Sequence, residues 1–199
     1  MAGYGAITIE RQYASGGSEI GRLIGEKLGI PYHDHEILET AAENIGIEKE
    51  LAGFAEETTT NSLLFNLSLL RNKSGELPIS ERIFNEETAI ISDLVKKGPC
   101  VIVGRCAGYI LKNRVKTLNV YIYAEYETRF DRAINKYGIS PDEAKEVIKK
   151  YDKKRGDFYN ANTKLKWSDK ECYHLCLNSG KLGTERCADI ICAIYDMGK

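Results

Sequence analysis

The sequence predicts an α/β fold in which a parallel sheet of five short strands is covered by helices on both faces. Three observations predict it. Five apolar runs, at 7–9, 30–32, 100–103, 118–123 and 173–177, are continuous rather than alternating, as strands buried on both faces are. Long stretches with apolar residues at helical spacing separate them, the pattern of right-handed βαβ units. The first run also passes straight into a Gly/Ser loop and a helix start.

That first unit carries the most chemistry. Ile7, Thr8 and Ile9 form the strand, Ser15, Gly16, Gly17 and Ser18 the loop, and Ile20, Leu23, Ile24 and Leu28 one face of the helix. Strand, glycine loop and helix N-terminus together build a phosphate cradle, because backbone amides converge and the helix dipole adds positive potential. The P-loop pattern G-x-x-x-x-G-K-[ST] would fall with its first glycine at Arg11, its second at Gly16 and its lysine at Gly17. Gly16 and Ser18 match it, and the lysine is absent. Backbone amides still make a nest without that lysine, and Arg11 is the nearest replacement charge. A tight turn that only packs helix on strand is the bland alternative.

The second strand is a stub ending near Asp34. A carboxylate there suits either hydrated Mg²⁺, which prefers oxygen ligands, or the cap of a helix over 35–45. Residues 36–98 then read as a helical insertion. Ile37, Leu38, Ala41 and Ile45 share one face, Leu63, Leu64, Leu67 and Leu70 a second, and Ile83, Ile90, Ile91, Leu94 and Val95 a third. The run 58–60 of threonines reads as a loop or cap. The stripe at 63–70 is either core or a partner-binding face. After the third strand, Gly104-Arg105 sits at a strand carboxyl end, where open α/β sheets bind ligands and an arginine can hold a phosphate bidentately. Residues 125–162 form a second, lid-like helical segment. Arg129 and Arg132 lie three apart on one face, and Ser140-Pro141-Asp142-Glu143 is a helix start. The charge run from Lys149 to Arg155 is either a solvated face or a segment closing over phosphates.

Composition excludes several classes. The chain has 199 residues and a formal net charge of −1, so one domain is expected, without the basic field of a protein that binds polymeric nucleic acid or an anionic membrane. No apolar run approaches the roughly 20 residues of a membrane helix, and the first ten residues lack a basic, cleavable leader, so cytoplasmic residence is expected. The six cysteines include no C-x-x-C pair and read as buried free thiols. His33 and His35 are not spaced as a convincing metal pair.

Residues 12–21 (QYASGGSEIG), 29–34 (GIPYHD), 101–105 (VIVGR), Arg129-x-x-Arg132, Asp152-x-x-Arg155 and Asn178-Ser179 together resemble the cytidylate kinase-like family of P-loop nucleoside monophosphate kinases. The resemblance implies a three-layer kinase fold with strand order 2-3-1-4-5. It implies ATP and Mg²⁺ as cofactors and a small acceptor, foremost a pyrimidine nucleoside monophosphate. By resemblance, Ser15, Gly16, Gly17 and Ser18 wrap the donor phosphates beside Asn178, and Ser18 ligates the metal. Arg105 and Asp34 meet the acceptor, Asp152 and Arg155 read its base and phosphates, and Arg129 and Arg132 neutralise the transferred group, with Arg11 in reserve. Two departures stand out. Cys106 replaces the acid of a Gly-Arg-Asp motif, and Thr40 stands where ordinary cytidylate kinases carry an arginine. Two other classes remain open: a nucleotide-binding regulatory module without catalysis, and a structural homo-oligomer built on the 63–70 stripe.

Overall fold

The computed structural model describes residues 3–48 and 77–198. Strands β1 (Ala6–Arg11), β2 (Tyr32–His33), β3 (Cys100–Val103), β4 (Thr117–Tyr123) and β5 (Leu175–Asn178) form one sheet. Its order is β2-β3-β1-β4-β5 and every pairing is parallel. The expected α/β class and strand order are therefore both present.

Between the strands lie α1 (Gly17–Leu28), α2 (Glu36–Asn44), α3 (Ile79–Lys97), α4 (Ala107–Leu111), α5 (Tyr126–Asn135) and α6 (Pro141–Thr163), and after β5 follow α7 (Ser179–Leu182) and α8 (Thr184–Met197). One sheet face presents Ile7, Ile9, Val101, Val103, Val120 and Ile122 to Ile20 and Ile24 of α1 and Ile191 of α8. The other presents Ala6, Cys100 and Ile102 to Ile91 of α3 and to Ala107, Ile110 and Leu111 of α4. Alternate residues of each strand thus serve opposite layers, the period-two consequence of the pleat. On β1 this sends Arg11 to the α1 side with Ile7 and Ile9, and Glu10 to the opposite side with Thr8.

Element boundaries shift for identifiable reasons. β2 starts two residues later than the apolar run at 30–32, because the Ile30 amide bonds Gly25 O at 3.1 Å and Pro31 has no amide. β5 starts at Leu175 because the Tyr173 amide closes a turn on Lys170 O at 3.1 Å. The 125–162 segment is two helices, parted near Gly138 at φ 69°. Ser140 stands at the N-cap of α6, but its hydroxyl donates to Glu143 Oε2 (2.7 Å) rather than capping an amide. The expected start at His35 is one residue early, since α2 begins at Glu36 with His35 at its N-cap position. Of the insertion, α2 and α3 pack together through Ala42 and Ile83. The stripe at 63–70 and the threonines at 58–60 lie outside the described residues. All six cysteines are free, but only Cys100, Cys106 and Cys187 are buried, and Cys176 is exposed.

The Ile24 side chain is fully buried between the sheet and α8. Ile24→Ala is expected to cost about 2–5 kcal/mol, lowering Tm by roughly 5–15 °C, whereas Cys176→Ser changes stability by no more than about 0.5 kcal/mol. Thermal melts of the two variants check both; a fall below about 3 °C for Ile24→Ala contradicts the packing described.

Candidate active site

The first loop is held from all sides by hydrogen bonds. Ser15 is buried, and its hydroxyl donates to Gln12 O at 2.8 Å and lies 3.3 Å from Ile122 O. Gln12 Oε1 accepts from the Ala124 amide at 3.2 Å. From the β5 end, Ser179 Oγ donates to Ser15 O and Tyr123 O. Asn178 is spent on the cap of α7, accepting from the Gly180 and Lys181 amides at 3.0 and 3.2 Å. So Ser15 and Asn178 shape the loop rather than offering side chains to its mouth. Ala14 and Gly16 take φ of 58° and 83° on either side of Ser15, an alternation that turns successive amides toward one concavity. At its end the first amides of α1 have no carbonyl within the helix.

Beneath this loop runs Arg11. A Cβ added at Gly17 would lie 2.5 Å from Arg11 Cβ and 2.7 Å from Cγ, and one added at Gly104 would strike Arg11 Nη1. The guanidinium then reaches Asp34, with Nη2 3.0 Å from Oδ1 and both side chains buried. Asp34 Oδ2 accepts from the Tyr32 hydroxyl at 2.9 Å, and the Ser18 hydroxyl lies close enough to favour this carboxylate's charge. Burial opposes ionisation of Asp34, but Arg11, His35, Ser18 and Tyr32 outweigh it and hold the carboxyl below its usual range. The helix-cap role open to Asp34 in the sequence is not taken. Ser18 and Asp34 are thus brought together, a hydroxyl and a carboxylate that suit Mg²⁺ retaining several waters. Among the described residues there is no cluster of three or more His, Cys, Asp or Glu side chains that could hold a metal.

Two more arginines converge here. Gly104, Arg105 and Cys106 follow β3 with φ of 79°, 59° and 54°, a left-handed run costing about 1–3 kcal/mol at each non-glycine. It places Arg105 Nη1 3.1 Å from Glu87 Oε1 and its guanidinium 5.8 Å from the Phe158 ring centre. Arg155 donates to Arg11 O at 3.0 Å and stands 5.6 Å from the Tyr13 ring centre. Arg11, Arg105, Lys154 and Arg155 line a cavity of about 250 Å³, with Leu38, Tyr151 and Phe158 as its apolar wall. Burial first, and Arg11's charge second, lower Arg105 to about 10 and Arg155 to about 9. Both stay protonated near neutral pH, so the arginine side of the cavity, which Glu10 also lines, favours an anion. A larger cavity of about 620 Å³, lined by Thr8, Asn119 and His174, lies next to it and shares Glu10 and Tyr159 with it. It lacks this convergence of arginines and does not adjoin the loop.

The remaining predicted charges are bound to one another. Asp152 accepts from the Tyr13 amide at 2.7 Å and pairs with Arg129, which also reaches Tyr13 O at 3.4 Å. Arg132 Nη2 lies 2.8 Å from Glu19 Oε2, Lys136 joins it, and Thr184 donates to Oε1 at 3.0 Å. Arg132 flanks Gly16, with Nη2 3.0 Å from a Cβ placed there. Of the charge run on α6, Lys149, Lys150 and Lys153 are exposed, while Asp152, Lys154 and Arg155 turn inward. Thr40, exposed, donates to Glu36 O of its own helix at 2.8 Å.

Two carboxylates escaped sequence reasoning. Glu87 is fully buried on α3, and its position four residues from both Ile83 and Ile91, inside the apolar stripe, was the available signal. Burial pushes its carboxyl up to about 8, although Arg105 Nη1 stands 3.1 Å from it. Glu10 accepts from Trp167 Nε1 at 3.0 Å, a contact with no local signature.

The comparisons with known proteins come to rest on this geometry. The family model described as cytidylate kinase-like matches residues 6–181. The chain belongs to the cytidylate kinase-like family. An uncharacterized protein from Eubacterium ventriosum is similar over 96% of this chain and 98% of its own, at 23% identity and a TM-score of 0.72. The shikimate kinase of Acinetobacter baumannii, solved with shikimate, covers 98% of this chain and 94% of its own at 15% identity and a TM-score of 0.53. That of Aquifex aeolicus covers 97% and 96% at 18% identity and a TM-score of 0.51. At such identities the similarity is one of fold, shared between this family and P-loop kinases. No curated protein matches. Among the described residues, no helix is long and apolar enough to cross a membrane.

Burial disfavours the charged form of Glu19, yet hydrogen bonds from Lys136, Arg132 and Thr184 outweigh it and lower its carboxyl from the ordinary 4.5 to about 2. The stability this adds is present above pH 4.5 and is lost as pH falls toward 2. Glu19→Gln is expected to destabilise the protein at pH 7 by on the order of 2 kcal/mol. Denaturant unfolding against pH checks it: the gap to wild type closes on acidification, and a gap independent of pH contradicts the assignment.

Proposed function

We propose that this family member transfers the terminal phosphoryl group of ATP to a small anionic acceptor, foremost a pyrimidine nucleoside monophosphate. The convergence of Arg11, Arg105 and Arg155 on one cavity beside the glycine loop carries the proposal. Donor phosphates would rest on the amides of Ser15 to Ser18. The acceptor phosphate would meet Arg105, with Phe158, Tyr151 and Leu38 offering a flat apolar wall for a planar base. Ser18 and Asp34 would hold Mg²⁺, which when bound neutralises charge developing between donor and acceptor oxygens. Arg155 would bridge the two phosphates, and Arg132 beside Gly16 would exchange Glu19 for the transferring group. Such transfer needs mainly positioning and charge, which arginines held in place by backbone and aromatic partners supply. Family membership supports phosphoryl transfer; the preference for a pyrimidine rests on that resemblance.

The missing lysine favours a second proposal, a nucleotide-binding regulatory protein without turnover. Release of ADP across a panel of nucleoside monophosphates separates the two. Turnover with CMP or UMP is expected; tight ATP binding with no phosphorylated acceptor overturns the kinase and favours the regulator.

Arg105→Ala is expected to lower kcat/KM for the acceptor by about 100-fold, the loss of a charge-assisted pair worth about 2–3 kcal/mol. ATP affinity stays within about threefold. Steady-state kinetics with parallel ATP titration check this; an equal loss of donor affinity assigns Arg105 to the wrong phosphate.

A further inference from the structure

The space that a P-loop lysine would need at position 17 is occupied. The atoms met by an added Cβ at Gly17 are Cβ and Cγ of Arg11, at 2.5 and 2.7 Å. These are the root of a side chain fixed to β1, not its movable end, so they cannot swing aside. Arg11 is buried, and its guanidinium emerges past Gly104 onto the floor of the arginine-lined cavity. Among the described residues its Nε has no hydrogen-bond partner. A lysine leaving the loop and an arginine rising from the strand beneath would therefore compete for one channel.

We propose that Arg11 supplies, from the end of β1, the cation that the P-loop pattern places on the loop, and that position 17 is glycine because Arg11 runs through that channel. The ligand is the β- and γ-phosphate pair of a nucleoside triphosphate. Asp34 is then the resting counter-ion, and the polyphosphate shares the guanidinium when it binds. Arginine suits two partners at once, since its planar fork has donors on more than one edge. The proposal rests on the donor site described above and adds the identity of its cation and the reason for its unusual loop.

A compensation experiment tests it. ATP and AMP binding are measured by calorimetry, with Mg²⁺, for wild type, Arg11→Gly, Gly17→Lys and the double variant, glycine being chosen because it removes the Cβ and Cγ that a side chain at 17 would strike. Arg11→Gly is expected to weaken ATP at least about tenfold while AMP changes less than about threefold, as loss of a charged contact to the outer phosphates requires. Gly17→Lys alone also loses ATP, because the two side chains collide. The double variant recovers ATP to within about threefold of wild type. Unchanged ATP affinity in Arg11→Gly, or a double variant no better than Arg11→Gly, overturns the proposal and leaves Arg11 as a structural partner of Asp34. Should Arg11→Gly not fold, the same comparison is made on an Asp34→Asn background, which removes the unpaired buried charge, with Asp34→Asn alone as the reference because Asp34 is also placed at the metal. Wild-type protein that binds no ATP defeats the donor site itself, a distinct result from either of these.

Discussion

Arg11 carries a full positive charge into the seam between the sheet and α1, where an unpaired ion costs several kcal/mol. Much of the local architecture answers that demand. Asp34 must be ionised, and the hydroxyls of Tyr32 and Ser18 hold it so. Gly17 and Gly104 must lack side chains, because the arginine passes against both. The loop above must arch clear of it, which Ala14 and Gly16 achieve with positive φ. A buried ion pair of this kind adds little net stability over apolar packing. Its persistence at the carboxyl edge of a parallel sheet points to use rather than to structural support.

Around that pair, two further ionic ties hold helices to the loop. Asp152 joins α6 to the Tyr13 amide and to Arg129 of α5. Glu19 joins α1 to Arg132 and Lys136 at the end of α5. Both ties reach the loop's flanks, so the two helices cannot move without releasing a carboxylate. Arg105 and Arg155 are held differently: each faces an aromatic ring, Arg155 donates to a backbone carbonyl, Arg105 pairs with Glu87, and Glu10 and Asp34 favour the charge of both. With Arg11 and Lys154 they line one cavity, the distribution expected where an anionic ligand completes the charge balance.

Much of this was legible in the sequence. Continuous apolar runs pointed to the parallel sheet, but the direction of the Arg11 side chain was not read from them; its contacts with Gly17 and Asp34 place it. The P-loop spacing marked Gly17 as the anomalous position. What could not be read were the partners. Glu19 and Arg132 lie 113 positions apart, and Trp167 and Glu10 157 apart; no local pattern encodes such pairs. Asp-x-x-Arg at 152 and 155 fixes a shared helical face, but only tertiary packing decides that Asp152 meets the loop and Arg155 the cavity. The late start of β2 turned on how one amide, that of Ile30, is used.

The account stands or falls on where a triphosphate sits. A crystal structure with Mg²⁺ and a slowly hydrolysed ATP analogue tests it most directly. The β-phosphate is expected against the amides of the Gly16–Gly17 turn, within hydrogen-bonding distance of the Arg11 guanidinium. A triphosphate bound in the larger cavity, or seated in the turn with Arg11 still confined to Asp34 and out of reach, would contradict it.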